Sequence, residues 1–262
     1  MFIEERHQAI LKIIHESGRI SIGEIQKKFN VSVDSARRDL RLLEEQGLLK
    51  RTHGGAIPLQ QVGLMPPRHR DMKSMEVYDN YAAIAKKGAE FVKENDIVYL
   101  TSGSLGFIML KYLPNDINYT IVVNSVTLAE ELKYWDNVTV YVTGGKMRMH
   151  GTTSLVDSFA TAFVKNMNFD VCLMTGGGYD ADFGFSNGTD ETATFQRTVI
   201  NNSRKKILMM PNQKIGFKAF IKVCEANKFD VLITDWDAID DEINKFKDLG
   251  VKVITANLKN NP

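Results

Sequence analysis

The chain has 262 residues, 44% hydrophobic and 25% charged, with 33 Lys and Arg against 32 Asp and Glu. That length and composition can bury a core for one large domain plus a small one, and they exclude disordered and collagen-like classes. The apolar runs, such as IVYL and VCLM, fall far short of the roughly 20 residues of a membrane span.

The first residues, MFIEERHQAI, carry no signal-peptide pattern, so the expected location is cytoplasmic, with no membrane partner. Cys172 and Cys224 both lie in apolar segments and read as buried thiols, so no disulfide, metal site or cofactor is expected. The net charge of +1 conceals a local bias. Residues 1–57 hold ten Lys and Arg against eight Asp and Glu, and residues 50–73 hold Lys50, Arg51, Arg68, Arg70 and Lys73 against Asp71 alone. By itself this bias toward a polyanionic partner is weak.

From Arg6, the positions Ile10, Ile13 and Ile14 predict a helix that stops at a Ser17-Gly18 cap. Ser21 caps a second short helix with Ile22, Ile25 and Phe29 inward. After a turn at Asn30-Val31, Ser32 opens a third helix with Ala36, Leu40 and Leu43 inward, closed by Gly47. Three short helices on one small core with a very short second turn form a helix-turn-helix. Off the apolar stripe of the third helix lie Ser32, Val33, Asp34, Ser35, Arg37, Arg38 and Arg41, near the end that enters a major groove. Arginine suits guanine, because its fork meets O6 and N7 together. The plainer reading is a solvated face in which Asp39, Glu44 and Glu45 neutralise these arginines. The following LLKRTHGGAIP reads as a β-wing around a Gly-Gly turn.

R-x3-I-x3-I and then VSVDSARRDLRLLEEQGLLKRTHGGA resemble the winged helix-turn-helix of the DeoR family of bacterial sugar-metabolism regulators, with RRDL, EEQGLL and HGGA at the family spacing. The resemblance covers residues 1–57 and implies a partner of double-stranded operator DNA, contacted by Ser32, Ser35, Arg37, Arg38 and Arg41 of the helix and by Lys50, Arg51 and His53 of the wing. Asp39 is expected to orient an arginine. Ser35-Ala36 departs from the family's usual Thr followed by a larger aliphatic residue.

Residues 58–75, with Pro58, Pro66 and Pro67 and no apolar periodicity, read as a linker to a domain of residues 76–262. A helix is predicted over roughly 77–94. Strand-type runs then alternate with helical ones: DIVYL, YTIVVN, VTVYVTG, DVCLMTG, KILMM, DVLIT and VKVIT, with helices near 105–113, 126–134, 155–166, 190–203 and 238–249. Such alternation predicts an open, mostly parallel α/β sheet covered on both faces. Thr101-Ser102-Gly103-Ser104, Asn124-Ser125, Gly144-Gly145-Lys146 and Gly176-Gly177-Gly178 each follow a strand, where open α/β sheets gather ligands. TSGSLG in particular sets a small polar turn between a strand and a helix, a place for phosphate.

This half is similar to the DeoR-type effector domain over about residues 77–256, through SGS, VNS, GGK, FDVCLMTGGG, the helix opening with Glu191, QKIG and FDVLITD. The resemblance implies a fold of the ribose-5-phosphate isomerase and CoA-transferase type, akin also to glucosamine-6-phosphate deaminase. It further implies a phosphorylated sugar or polyol effector held by Thr101, Ser102, Gly103, Ser104, Asn124, Ser125, Gly144, Gly145, Lys146, Gly177, Gly178, Glu191 and Lys214. Tyr81, Thr101, Phe195 and Pro211 stand where the family usually has Lys, Asp, Lys and Asp.

No catalytic residues are expected. All five histidines lie at or before position 150, so GGGYDADFGFSN lacks the histidine of the deaminase reaction. Asp180 and Asp182 remain as isomerase-type bases or, more simply, as loop-solvating residues. The reading is a carbohydrate-operon repressor acting as a homodimer or homotetramer, with a sugar-phosphate isomerase or deaminase carrying a DNA-binding module as the alternative.

Overall fold

The computed structural model describes residues 3–17, 19–46, 48–52, 54–58, 78–148 and 154–257. Gly18, Gly47, His53, Pro66, Pro67, Arg68, Arg70 and Lys73 lie outside the described residues, as does nearly all of the predicted linker. Two compact units divide the chain, one of residues 1–66 with 237–239 and the other of residues 67–236 with 240–262.

In the small unit, helices α1 (Ile3–Ser17), α2 (Ile22–Phe29) and α3 (Val33–Glu45) surround a core of Ile10, Ile14, Ile25, Ala36, Leu40 and Leu43. Ser21 opens α2 with a capping box: its Oγ accepts the Glu24 N–H, while Glu24 accepts the Ser21 N–H. These two bonds use donors that a helix start leaves unpaired. Asn30 ends α2 at φ 51°, the left-handed conformation that asparagine tolerates. The wing is the pair β2 (Leu49–Thr52) and β3 (Gly55–Pro58), and a two-residue strand β1 (Ile20–Ser21) extends it, pairing antiparallel with β3. The pattern of the sequence holds no trace of β1, because two residues are too few to show a period.

The large unit is built on a seven-stranded sheet in the order β13-β12-β10-β7-β4-β5-β6, parallel throughout. Its strands are β4 (Ile97–Leu100), β5 (Tyr119–Val123), β6 (Val138–Val142), β7 (Phe169–Met174), β10 (Ser203–Met209), β12 (Val231–Asp235) and β13 (Lys252–Ala256), the seven runs that the sequence predicts. Alternation along the strands separates the two faces. Val98, Leu100, Ile121, Val123, Val171, Leu173, Ile207, Met209, Val231 and Ile233 join α4 (Asp79–Ala89), α5 (Ser104–Met109) and α6 (Val126–Leu132) in one core. On the other face Tyr99 meets Phe195 of α8 (Asp190–Asn201) at 6.0 Å between ring centres. Helices α7 (Ser158–Lys165) and α9 (Asp240–Asp248) complete the set.

The segment read as an acidic loop is in fact paired structure. β8 (Gly178–Asp180) and β9 (Gly184–Asn187) form a hairpin, and β11 (Ile221–Cys224) adds to it as a separate antiparallel sheet. Strands of three or four residues among glycines carry little of the period-2 signal. Cys172 is buried as expected, whereas Cys224 is only half-buried, because it sits on β11, at the edge of this small sheet.

Candidate functional site

In the small unit, α3 buries Ala36, Asp39, Leu40 and Leu43, positions i, i+3, i+4 and i+7 of one face. Val33, Asp34, Arg37, Arg38 and Arg41 are left exposed. Ser32 caps the helix by accepting the Ser35 N–H at 3.2 Å, and its hydroxyl meets that of Ser35 at 3.0 Å. Both serines therefore hold the helix start beside the arginines. Arg37 and Arg38 carry no side-chain partner among the described residues, while Arg41 stands 4.0 Å from Glu45 on an exposed turn. A partly neutralised face was the plainer reading. It applies to Arg41 and not to Arg37 or Arg38.

The other acids have different partners. Asp39, 1% exposed, takes a fork from Arg6 of α1: Nε donates to Oδ2 at 2.6 Å and Nη2 to Oδ1 at 3.0 Å. His7 Nε2 lies 3.1 Å from Oδ1. Burial pushes the Asp39 carboxyl up, but the hydrogen bonds from Arg6 and His7 outweigh it and hold the group below its ordinary value. The arginine that Asp39 orients is thus one that braces α1 against the recognition helix. Arg51 of the wing is similarly engaged, its Nε donating to Glu44 Oε2 at 2.6 Å and its N–H to Oε1 at 2.8 Å. It fixes the wing to α3, so its guanidinium is less available to DNA than the sequence implies. Lys50 is half-buried.

In the large unit, the chain runs from β4 outward to β5 and β6, then returns to β7 on the other side of β4. The order reverses there, and in open α/β sheets such a switch point, at the carboxyl ends of β4 and β7, is where ligands bind. Thr101 N–H donates to Leu173 O at 3.0 Å, which joins the two strand ends. Gly103 adopts φ 128° and ψ −179°, a region essentially open to glycine alone. This turn aims the start of α5 outward, and no side chain caps it, unlike α6, α7 and α8, which Ser125, Asp157 and Thr189 cap. Ser102 and Ser104 are half-exposed beside those amides. We expect Gly103→Ala to cost roughly 1 to 3 kcal/mol through the strained backbone, read as a lower melting temperature of the large unit.

Several predicted ligand contacts are occupied by the protein itself. Asn124, 2% exposed, accepts from Tyr99 OH at 3.0 Å and donates to Leu155 O at 3.1 Å. Both polar atoms of its side chain are thus engaged within the protein. Ser125 is 1% exposed and spends its hydroxyl on the start of α6, accepting from Leu128 N–H at 3.4 Å. Thr101, 2% exposed, donates to Ser102 O at 3.3 Å. A side chain on Gly177 would meet Ala219 at 3.0 Å, and one on Gly178 would collide with the Phe217 carbonyl. These two glycines admit the 215–220 segment, so their smallness serves packing. Gly144 and Gly145 are exposed, and the turn at Gly145 (φ 114°) brings Lys146 N–H to Asp157 Oδ2 at 3.1 Å.

The remaining charged candidates make two separate contacts. Lys146 Nζ pairs with Glu191 Oε1 at 3.1 Å, linking the β6 exit to the first turn of α8. Lys214 Nζ donates to Gly176 O at 2.9 Å, at the β7 exit. Gln196, which the sequence reading passed over, donates from Nε2 to Thr175 O at 2.9 Å and accepts from Asn187 at 3.0 Å. Its place on the inward face of α8 is the only signal that marked it.

The departures from the family pattern lie inward. Phe195 is fully buried against Tyr99, and burial with the nearby Asp235 charge pushes the Tyr81 phenol up to about 12. Asp180 Oδ1 accepts the Asp182 and Phe183 N–H groups and faces Lys218 at 3.5 Å. That is the work of a hairpin turn. Among the described residues no group of three or more His, Cys, Asp and Glu could hold a metal, and no helix is long and apolar enough to cross a membrane.

The chain belongs to the DeoR family of transcriptional regulators: residues 6–62 match the DeoR-like helix-turn-helix domain and residues 76–236 the DeoR C-terminal sensor domain. Across its length it is similar to the HTH-type transcriptional regulator GlpR of Haloferax volcanii, with 28% identity over 97% of this chain and 98% of that one. The lactose phosphotransferase system repressor of Staphylococcus aureus is 27% identical over 89% of this chain and 92% of its own. The full-length sorbitol operon regulator SorC of Klebsiella pneumoniae aligns with a TM-score of 0.41 at 11% identity, covering 93% of this chain and 99% of that one, too remote a likeness to bear on function.

Proposed function

We propose that this protein represses a carbohydrate-utilisation operon by holding operator DNA through the exposed face of α3, and releases it when a phosphorylated sugar or polyol enters the crevice of the large unit. The observation that carries the reading is the pair Arg37 and Arg38, without a partner among the described residues, on an exposed recognition helix, in a chain whose larger unit leaves the α5 amides without a side-chain cap at the sheet's switch point. The family supplies the pairing of DNA head and sensor, and the lactose-system repressor among its relatives supplies the carbohydrate context. Ser102, Ser104 and the amides after Gly103 are the anion anchor, with Lys146 and Lys214 at its rim. A DNA partner places the protein in the cytoplasm. Recognition helices of this kind read half-sites in pairs, so the active form is a homodimer or homotetramer.

An operator duplex selected from a random pool provides the test. Anisotropy titrations should give salt-dependent nanomolar-range binding, relieved by one class of sugar or polyol phosphate that also raises the melting temperature. A ligand at 100 times its dissociation constant adds about 2.7 kcal/mol of stability. Sequence-independent binding only, or no phosphate that alters it, would defeat the proposal. The enzyme alternative makes the opposite prediction: turnover of a sugar phosphate that vanishes in Asp180→Asn with Asp182→Asn. We expect no turnover, because Asp180 is committed to its hairpin.

A further inference from the structure

We propose that Asp235 is a positioning residue for the effector response, tying the loop that carries Lys214 to the start of α4 so that crevice occupancy alters operator affinity. The inference rests on the function proposed above. Asp235 ends β12 and is 0% exposed. A carboxylate so placed is costly unless hydrogen-bonded, and its bonds reach two distant segments. Asn212 donates its N–H to Oδ2 at 2.8 Å and its Nδ2 to Oδ1 at 2.5 Å. Asn80 Nδ2 stands 3.5 Å from Oδ2.

Asn212 opens the single helical turn Asn212–Lys214, and Lys214 in turn holds Gly176 O at 2.9 Å, just beyond the carboxyl end of β7. Asn80 is the second residue of α4, and its Oδ1 accepts the Tyr81 N–H at 3.0 Å. Following the chain from the DNA-binding head, α4 is the first helix of the large unit among the described residues. Asn80 and Asn212 are 2% and 8% exposed. The Asp235 and Asn80 side chains satisfy the backbone N–H groups of Asn212 and Tyr81, so the bridge is tied to the main chain of both segments. An anion in the crevice competes with Gly176 O for the Lys214 ammonium. As Lys214 turns to the anion, its helical turn moves, and Asn212, Asp235 and Asn80 carry the change to α4. Couplings of this kind change affinity roughly 5- to 150-fold.

The full-length protein is titrated with its selected operator, alone and with glucose 6-phosphate, fructose 1-phosphate, tagatose 6-phosphate or glycerol 3-phosphate, while direct binding of each probe is measured by calorimetry. In the wild type, one probe binds and weakens operator binding at least fivefold. In Asp235→Asn, operator affinity without probe and probe affinity both stay within about twofold, yet the release factor falls toward one. Asp235→Asn with Asn212→Asp restores a donor–acceptor pair and should restore release, a rescue that a merely structural role would not produce. Asn80→Leu cuts the link from the α4 side and decides the matter if Asp235→Asn melts early. Release at the wild-type factor in Asp235→Asn or Asn80→Leu overturns the inference and leaves the proposed function standing. If none of the four probes binds the wild type, the effector reading fails and takes the inference with it.

Discussion

Replacing Arg38 by alanine is expected to weaken specific operator binding by roughly 5- to 150-fold, the equivalent of about 1 to 3 kcal/mol for one lost bidentate base contact. The melting curve should not move, because the Arg38 side chain is exposed and has no partner among the described residues. Arg37→Ala should behave alike, and the double variant should retain only salt-sensitive, sequence-independent binding. Arg51→Ala provides the contrast. Arg51 is bound to Glu44, so its loss should loosen the wing and lower stability along with affinity. If instead Arg51→Ala relaxes base preference at one position and Arg38→Ala does not, the wing and not the helix reads the bases.

Asp39→Ala has the largest expected effect on stability: about 3 kcal/mol, toward the low end of a broken buried ion pair because the Arg6 side chain keeps 13% of its exposure. A head of this size has little stability to lose. The variant should therefore unfold the head and abolish operator binding while the large unit still melts cooperatively, which differential scanning calorimetry can separate. The same group gives a pH dependence of known sign. Its folded-state value is depressed by Arg6 and His7, so its stabilisation is fully present above the ordinary aspartate range near 4 and is lost as pH falls through the lowered folded value. The head of the wild type should lose stability on acidification over that interval, and Asp39→Asn should flatten the slope. An unchanged slope in Asp39→Asn would show that other carboxylates govern the acid limb.

Local patterns made much of the fold legible. The apolar spacings that mark α1, α2 and α3, the Ser21 and Ser32 caps and the seven β-type runs are properties of neighbours in sequence, and each forms as read. The short strands β1, β8, β9 and β11 were not legible, because each borrows its hydrogen bonds from a distant segment and is too short to show a period. The same division runs through the sites. Exposure of Arg37 and Arg38 follows from helical periodicity, and Gly103 was marked by its place between strand and helix.

Periodicity could not say what Asp39 or Arg51 would bind. Asp39 occupies a core position of α3, and its partner lies 33 residues away in the sequence. The family resemblance assigns Asn124, Ser125, Gly177 and Gly178 to the ligand, and in the fold their protein neighbours are Tyr99, Leu155, Leu128, Ala219 and Phe217. A small or polar residue at a strand end serves a ligand and a close packing contact equally well, and only the long-range contacts distinguish them.

By itself, then, the sequence determined the two-part architecture, the helix that presents its arginines and the turn that leaves amides uncapped, because caps, periods and turn residues act within a few positions. Tertiary structure alone decided the strand order that puts β4 beside β7, the bracing of the recognition helix by Arg6, and the Asn80–Asp235–Asn212 contact, whose members lie 155 and 23 residues apart in the sequence. Such pairings depend on which segments the folded core brings together. No local signal encodes them.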